Sequence, residues 1–182
     1  MNKLFIPPHI FLEMGSWRQP LLMVDRINNY QYGEKGFIKV IKHVTYNEPY
    51  IPGHFPDNPI MPGAIISEIF GQASEYLSFL SDICEIYHER YGISLQSLRD
   101  ICSKIKDDDF REIIRARRAQ VQGVLAAQNI KFKGIAYPGD TLEVTSQLAF
   151  SDNNGFKHYS VCAHVGKKVI SKGTIINYRE VK

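Results

Sequence analysis

Residues 49–63, PYIPGHFPDNPIMPG, place one histidine, His54, among five prolines. An apolar run, AIISEIFGQASEYLSFL, follows directly, with Glu68 set among isoleucines. Histidine is the side chain whose ordinary pKa lies nearest neutrality, so it can take up a proton at working pH. A carboxyl group on an apolar helix loses solvation. Its pKa is expected to rise, and it can then hold a proton to donate. One base and one acid suit a reaction that removes a proton at one carbon and protonates a leaving group on the next. Elimination of water is such a reaction.

The surrounding residues suit the same chemistry. The prolines restrict the backbone around His54 and lower the entropy lost in positioning it. Pro62 and Gly63 end the loop where a helix begins. Free N–H groups there, with the helix dipole behind them, suit a developing oxyanion. Gly63 would also let a carbonyl approach the backbone closely. Gln72 lies one turn after Glu68 on the same face and could orient its carboxyl group. Taken singly, each feature has a plainer explanation: a histidine near a loop is usually structural or solvated, and a buried glutamate is more often paired than catalytic. Their coincidence within nineteen residues, 54–72, favours a site.

Such a site needs elements to hold it. PLLMVDRI (20–27) and GFIKVIKHVTY (36–46) are expected to be strands around a polar turn, NNYQYGEK. Residues 63–80 are expected to form a helix apolar almost all round, because Ile65, Ile66, Ile69, Phe70, Ala73 and Leu77 recur at helical spacing. Residues 81–121 are more charged and also read as helical. Leu95, Leu98, Ile101, Cys102 and Ile105 share one face, and Phe110, Ile113, Ile114 and Val121 another; Asp109 and Glu112 have capping-box spacing. The period then changes. VLAAQNIKFKGI, DTLEVTSQLAF, FKHYSVCAHVG and KVISKGTIINY are strand-like, with turn signals at YPGD, DNNG and GK. The fold class is therefore α+β: one domain over 1–182, an antiparallel sheet wrapped around one helix, with a helical insert at about 81–121.

Composition sets the bounds. The chain has 182 residues, 44% hydrophobic and 23% charged, with a net charge of +3. It is globular in character and lacks the broad basic stripe of a nucleic-acid binder. No run of about eighteen apolar residues occurs, so no membrane span is expected. The start, MNKLFIPPHIFLEMG, reads as a poor leader because Pro7, Pro8 and His9 break its apolar stretch. Cys84, Cys102 and Cys162 have no metal-ligand spacing and read as reduced thiols, so a cytoplasmic location is expected.

The segment GHFPDNPIMPGAIISEIFGQAS closely resembles the active-site segment of the FabZ-type 3-hydroxyacyl-[acyl-carrier-protein] dehydratases. PLLMVDRI, KHVTYNEPYIPGHFP and IKFKGIAYPGDTLEV resemble further segments of that family, and matching stretches cover about 18–80 and 122–178. The resemblance implies a hotdog fold and a homodimer with two sites at its interface, each taking His54 from one chain and Glu68 from the other. FabZ enzymes often assemble further, as trimers of dimers. By the same resemblance His54 is the catalytic base, Glu68 the acid, Gly63 the N–H that polarises the thioester carbonyl, and Gln72 the supporting amide. The implied product is a trans-2-enoyl thioester. No metal or cofactor is needed, because the thioester acidifies C2 and the phosphopantetheine arm belongs to the acyl carrier protein. The insert departs from the family's shorter connection, and is compatible with polyene or polyketide synthesis as well as with fatty-acid synthesis. A thioesterase on the same fold and a silent acyl-binding hotdog are the alternatives.

One further pattern bears on partners. Arg111, Arg115 and Arg118 fall on one helical face opposite Phe110, Ile113, Ile114 and Val121. Read plainly, that is a solvated basic face. Read functionally, it is a dock for an acidic carrier protein, with Lys131 and Lys133 on the next strand as additions.

Overall fold

A computed structural model describes residues 4–181. Met1–Lys3, which begin the stretch read as a poor leader, lie outside the described residues. Those described form a six-stranded antiparallel sheet in the order β1-β2-β4-β5-β6-β3, built from β1 (Arg26–Gln31), β2 (Phe37–His43), β3 (Val121–Phe132), β4 (Thr141–Ser151), β5 (Lys157–Val165) and β6 (Lys168–Val181). The long helix α2 (Gly63–Tyr91) lies against the sheet, and α1 (Pro8–Met14), α3 (Leu98–Lys104) and α4 (Asp108–Gln120) lie outside it. This is the expected α+β arrangement, a sheet around a central helix. Alternation along the strands explains the core: Ile38 and Val40 of β2, Leu142 and Val144 of β4, and Tyr159, Val161 and Ala163 of β5 are all buried at period two. Against them α2 sets Ile66, Ile69, Phe70, Ala73, Leu77 and Leu80.

Four sequence expectations are corrected. The central helix does not stop at Leu80 but runs to Tyr91, because Ile83, Cys84 and Tyr87 continue its buried face. Its stop signal is Gly92, in the left-handed region at φ 69°, whose N–H donates to the His88 carbonyl at 2.7 Å. The insert outside the central helix is therefore shorter, beginning at 92. The first strand is Arg26–Gln31 and not 20–27. Ile27 and Tyr30 are both fully buried although three apart, because a bulge between Ile27 and Asn29 breaks the alternation that a period-two reading needs. The capping box lies at Ser97–Asp100, while α4 is capped by Asp107, whose side chain accepts from the Asp109 N–H.

The fourth correction concerns α2, whose buried face is not purely apolar. Ser74 hydrogen-bonds Ser146 at 2.8 Å and Ser78 hydrogen-bonds Tyr159 at 2.8 Å, so the hydroxyls are satisfied by the sheet. Glu75 and Asp82 are nearly buried and share Arg179 of β6, which donates to Glu75 at 2.9 and 2.7 Å and to Asp82 at 2.5 Å. Arg117 of α4 adds two contacts to Asp82, at 2.8 and 2.6 Å. Burial pushes the Glu75 carboxyl up, against the pull of Arg179.

Candidate active site

Residues 44–62 contain no strand or α-helix, so their shape is fixed by other means. Ile51 and Met61 are buried as apolar anchors at either side of His54. The loop is tied to the YPGD turn at its start, where Val44 N–H donates to Asp140 O at 2.9 Å and Gly139 N–H donates to Val44 O at 2.8 Å. At its end Met61 N–H donates to Ala136 O at 2.9 Å. Buried Lys42 on β2 holds Glu48 at 2.5 Å. Between these ties, Ile60 N–H donates to His54 O at 2.8 Å, and Phe55 and Asn58 exchange bonds of 3.2 and 3.0 Å. Five prolines add their fixed φ to a loop already closed on itself.

The same closure sets the state of the imidazole. His54 Nδ1 lies 3.2 Å from the Ile60 carbonyl oxygen. A carbonyl only accepts, so Nδ1 carries the hydrogen and the neutral ring has its lone pair on Nε2. The ring stacks on Phe55, with centroids 4.4 Å apart. His54 thus has one ring nitrogen committed to its own loop and the other, Nε2, left as an acceptor.

Glu68 lies on α2 and is half-buried. Gln72, one turn later, is fully buried and makes three polar contacts. Its Nε2 donates to Glu68 Oε1 at 2.8 Å and to Leu21 O at 2.7 Å, while its Oε1 accepts from Met23 N–H at 3.0 Å. The Met23 donor and the Leu21 acceptor fix which end of the amide is which. Glu68 Oε1 therefore accepts from Gln72, which leaves Oε2 as the other oxygen of the carboxyl group. The sequence expected the amide. It gave no sign of the backbone groups that hold it, because Leu21 and Met23 belong to an irregular segment 49 and more residues away.

Gly63 is the first residue of α2, after Pro62, which offers no side-chain cap. The opening N–H groups of the helix consequently lack partners within it. A Cβ on Gly63 would stand 2.9 Å from the Phe132 ring, so an aromatic side chain of β3 packs closely beside this glycine. Phe132 is a neighbour of Gly63 that sequence reasoning missed. A phenylalanine in a strand carries no signal of what it covers.

Lys131 and Lys133 flank Phe132 and are exposed. The arginine face is different, and the picture of a free basic face is corrected. Arg111 and Arg115 both pair with Glu13 of α1, the second at 3.3 Å, and Arg118 donates to Leu12 O at 3.2 Å. These side chains hold α1 in place. A cavity of about 640 Å³ lies towards the far end of α2 between Tyr32, Ser78, Glu85, Phe150, Lys157 and Tyr159. Neither His54 nor Glu68 lines it.

Comparison with known proteins bears on the family and the fold. A family model described as a FabA-like domain matches residues 16–97. The 3-hydroxyacyl-[acyl-carrier-protein] dehydratase FabZ of Thermoanaerobacter sp. (strain X514) is 34% identical over 143 residues, covering 73% of this chain and 87% of the relative. FabZ of Nitrosomonas eutropha is 29% identical over 172 residues, covering 92% of this chain and 94% of the relative. Among solved structures, the dehydratase heterocomplex ApeI:P from Xenorhabdus doucetiae aligns with a TM-score of 0.59 at 12% identity, over 90% of this chain and 86% of that one, and shares the hotdog fold. With a central helix inside one antiparallel sheet, the histidine loop before it and the Glu68–Gln72 pair upon it, the chain belongs to the FabZ family of 3-hydroxyacyl-[acyl-carrier-protein] dehydratases.

Proposed function

We propose that the protein removes water from a (3R)-hydroxyacyl group on an acyl carrier protein, giving a trans-2-enoyl thioester for fatty-acid or polyketide-type biosynthesis. The observation that carries this reading is the fixed Gln72–Glu68 hydrogen bond of 2.8 Å, which leaves one carboxyl oxygen free to donate a proton. His54 Nε2 takes the proton from C2, and the C2–H electron pair passes into the thioester as an enolate-like oxyanion. The first N–H groups of α2, at Gly63, stabilise that charge. Collapse of the oxyanion forms the C2–C3 double bond and breaks C3–O, while Glu68 gives its proton to the departing oxygen, which leaves as water. The thioester supplies the acidity of C2, so neither metal nor organic cofactor enters a step. The phosphopantetheine arm arrives with the substrate.

A second copy of the chain completes the site. Strand β3 is an edge of the sheet, twelve residues long, and exposes Val124, Leu125 and Phe132. A long apolar edge is a template for pairing with another chain, and β3-to-β3 pairing would join two sheets into one. Phe132 at the end of that edge touches Gly63, so pairing there brings a partner to the start of α2. The proposed carrier-protein partner meets the exposed lysines beside it, Lys131 and Lys133. A cytoplasmic location fits the three free thiols.

Incubation with a 3-hydroxyacyl thioester and, separately, with its 2-enoyl product tests the activity. Interconversion is the expected result. Release of free thiol would identify a thioesterase, and no change in either would leave an acyl-binding protein.

A further inference from the structure

Gln72 orients Glu68, yet its two backbone partners, Leu21 O and Met23 N–H, lie on a segment without strand pairing. Backbone outside a ladder is as well placed as whatever ties it down. Here the ties lead to the insert. Leu21 and Leu22 N–H both donate to Arg18 O, at 2.8 and 3.0 Å, closing a turn at Arg18. The Arg18 guanidinium bonds Trp17 O at 2.7 Å, Gly15 O at 3.1 Å and Leu12 O at 3.2 Å. Arg118 of α4 reaches the same Leu12 carbonyl at 3.2 Å. One residue on, Glu13 is gripped by Arg111 and Arg115, and the Arg111 guanidinium holds its carboxyl below the usual range. Helix α4 is itself fixed to α2 through Arg117 and buried Asp82. A closed path therefore runs from α2 at Asp82, through α4, α1 and the Arg18 turn, back to α2 at Gln72.

Resting on the reading of Glu68 as the proton donor, we propose that the helical insert is a positioning brace for that donor. Arg111, Arg115 and Arg118 are positioning residues. They fix α1, α1 fixes the Arg18 turn, and the turn presents Leu21 O and Met23 N–H to the Gln72 amide. Loss of the clamp lets the amide rotate, and Glu68 loses the partner that leaves its second oxygen free for the leaving hydroxyl. The effect falls on turnover, since Glu13 and the arginines touch no reacting atom.

The test is a double-mutant cycle between distant residues. Glu13→Ala is expected to lower kcat about fivefold on a carrier-protein substrate and on a small thioester alike, with KM changed less than about twofold. In a Gln72→Ala background the same change should cost less than about 1.5-fold, because the brace acts only through the amide. Equal losses in both backgrounds would show that Glu13 supports stability alone, and no loss in the parent would remove the brace altogether. Because Gln72 is fully buried and its truncation could unfold the chain, amide exchange gives a second measurement. Glu13→Ala should speed exchange at Met23 by about tenfold while amides in β4 change less than about twofold. Unchanged exchange at Met23 overturns the proposal. If the parent protein turns over neither thioester, the dehydratase reading falls, and Met23 exchange still decides the brace.

Discussion

Removal of Arg179 should cost the fold several kcal/mol, about as much as a large core truncation. The residue lies nearly buried on β6 and is shared by two carboxylates of the central helix, with Nε and Nη2 on Glu75 and Nη1 on Asp82. Arg179→Met keeps the apolar stem and deletes every donor. Asp82 retains Arg117 at 2.6 Å, so it stays paired. Glu75 does not: its other oxygen, Oε2, has no hydrogen-bond partner among the described residues. Breaking a buried pair by removing one partner costs about 3–5 kcal/mol. For a chain of this size each kcal/mol moves Tm by about 2–4 °C, which gives a fall of about 6–20 °C at neutral pH. The cost depends on pH with a definite sign. Burial already raises the Glu75 pKa, and Arg179 opposes that rise, so the variant's Glu75 titrates higher still. A carboxyl raised in the folded state favours folding when protonated. Its stabilising share is full below the unfolded pKa, near 4.5, and is lost as pH rises through the folded value. Thermal melts of parent and variant from pH 4.5 to 8 should therefore diverge as pH increases. Glu75→Gln added to Arg179→Met should restore most of the loss at pH 8. A Tm deficit that is constant across this range, or that Glu75→Gln leaves in place, would refute the assignment of Glu75 as the stranded charge.

At the site, His54→Ala and Glu68→Gln should each leave less than about 1% of the parent's turnover with Tm unchanged within about 2 °C. Mixed dimers of the two variants should regain activity at one of two sites; a verified heterodimer without activity would mean that both groups act from one chain. Gly63→Ala places a methyl 2.9 Å from the Phe132 ring and should lower stability by about 1–3 kcal/mol. Adding Phe132→Leu should return the Tm while kcat/KM stays low, because the methyl still stands where the thioester oxygen must approach; recovery of both would make Gly63 a packing residue only. Reversing Lys131 and Lys133 to Glu should lower kcat/KM for a carrier-protein substrate and lessen its salt dependence, with a small thioester unaffected. Equal losses on both substrates would exclude a docking role.

Much of this protein is legible in its residue order. The prolines of 49–63, the histidine among them and the glycine at the helix start are local features, and their chemistry follows from spacing along a few turns of chain. The Glu68–Gln72 contact is an i, i+4 pair, which a helix enforces by itself. Three of the last four strands were marked off by glycine turns, and β4, β5 and β6 lie where those signals put them to within a few residues.

What the tertiary structure decided are relations between distant segments. A helix pattern says which residues share a face, and not what that face meets. The arginines of α4 have the spacing of a solvated face, yet they close on Glu13 and Leu12, about a hundred residues earlier in the chain. The Glu75–Arg179 pair joins residues 104 apart, and Glu75 is buried more deeply than the Glu68 that the pattern singled out. The first strand hid behind a bulge, which shifts the side-chain alternation by one and erases the period that sequence reading depends on. The amide of Gln72 shows the division in one side chain. Its reach to Glu68 is written in the helix, and its orientation is set by two backbone groups that only folding brings to it.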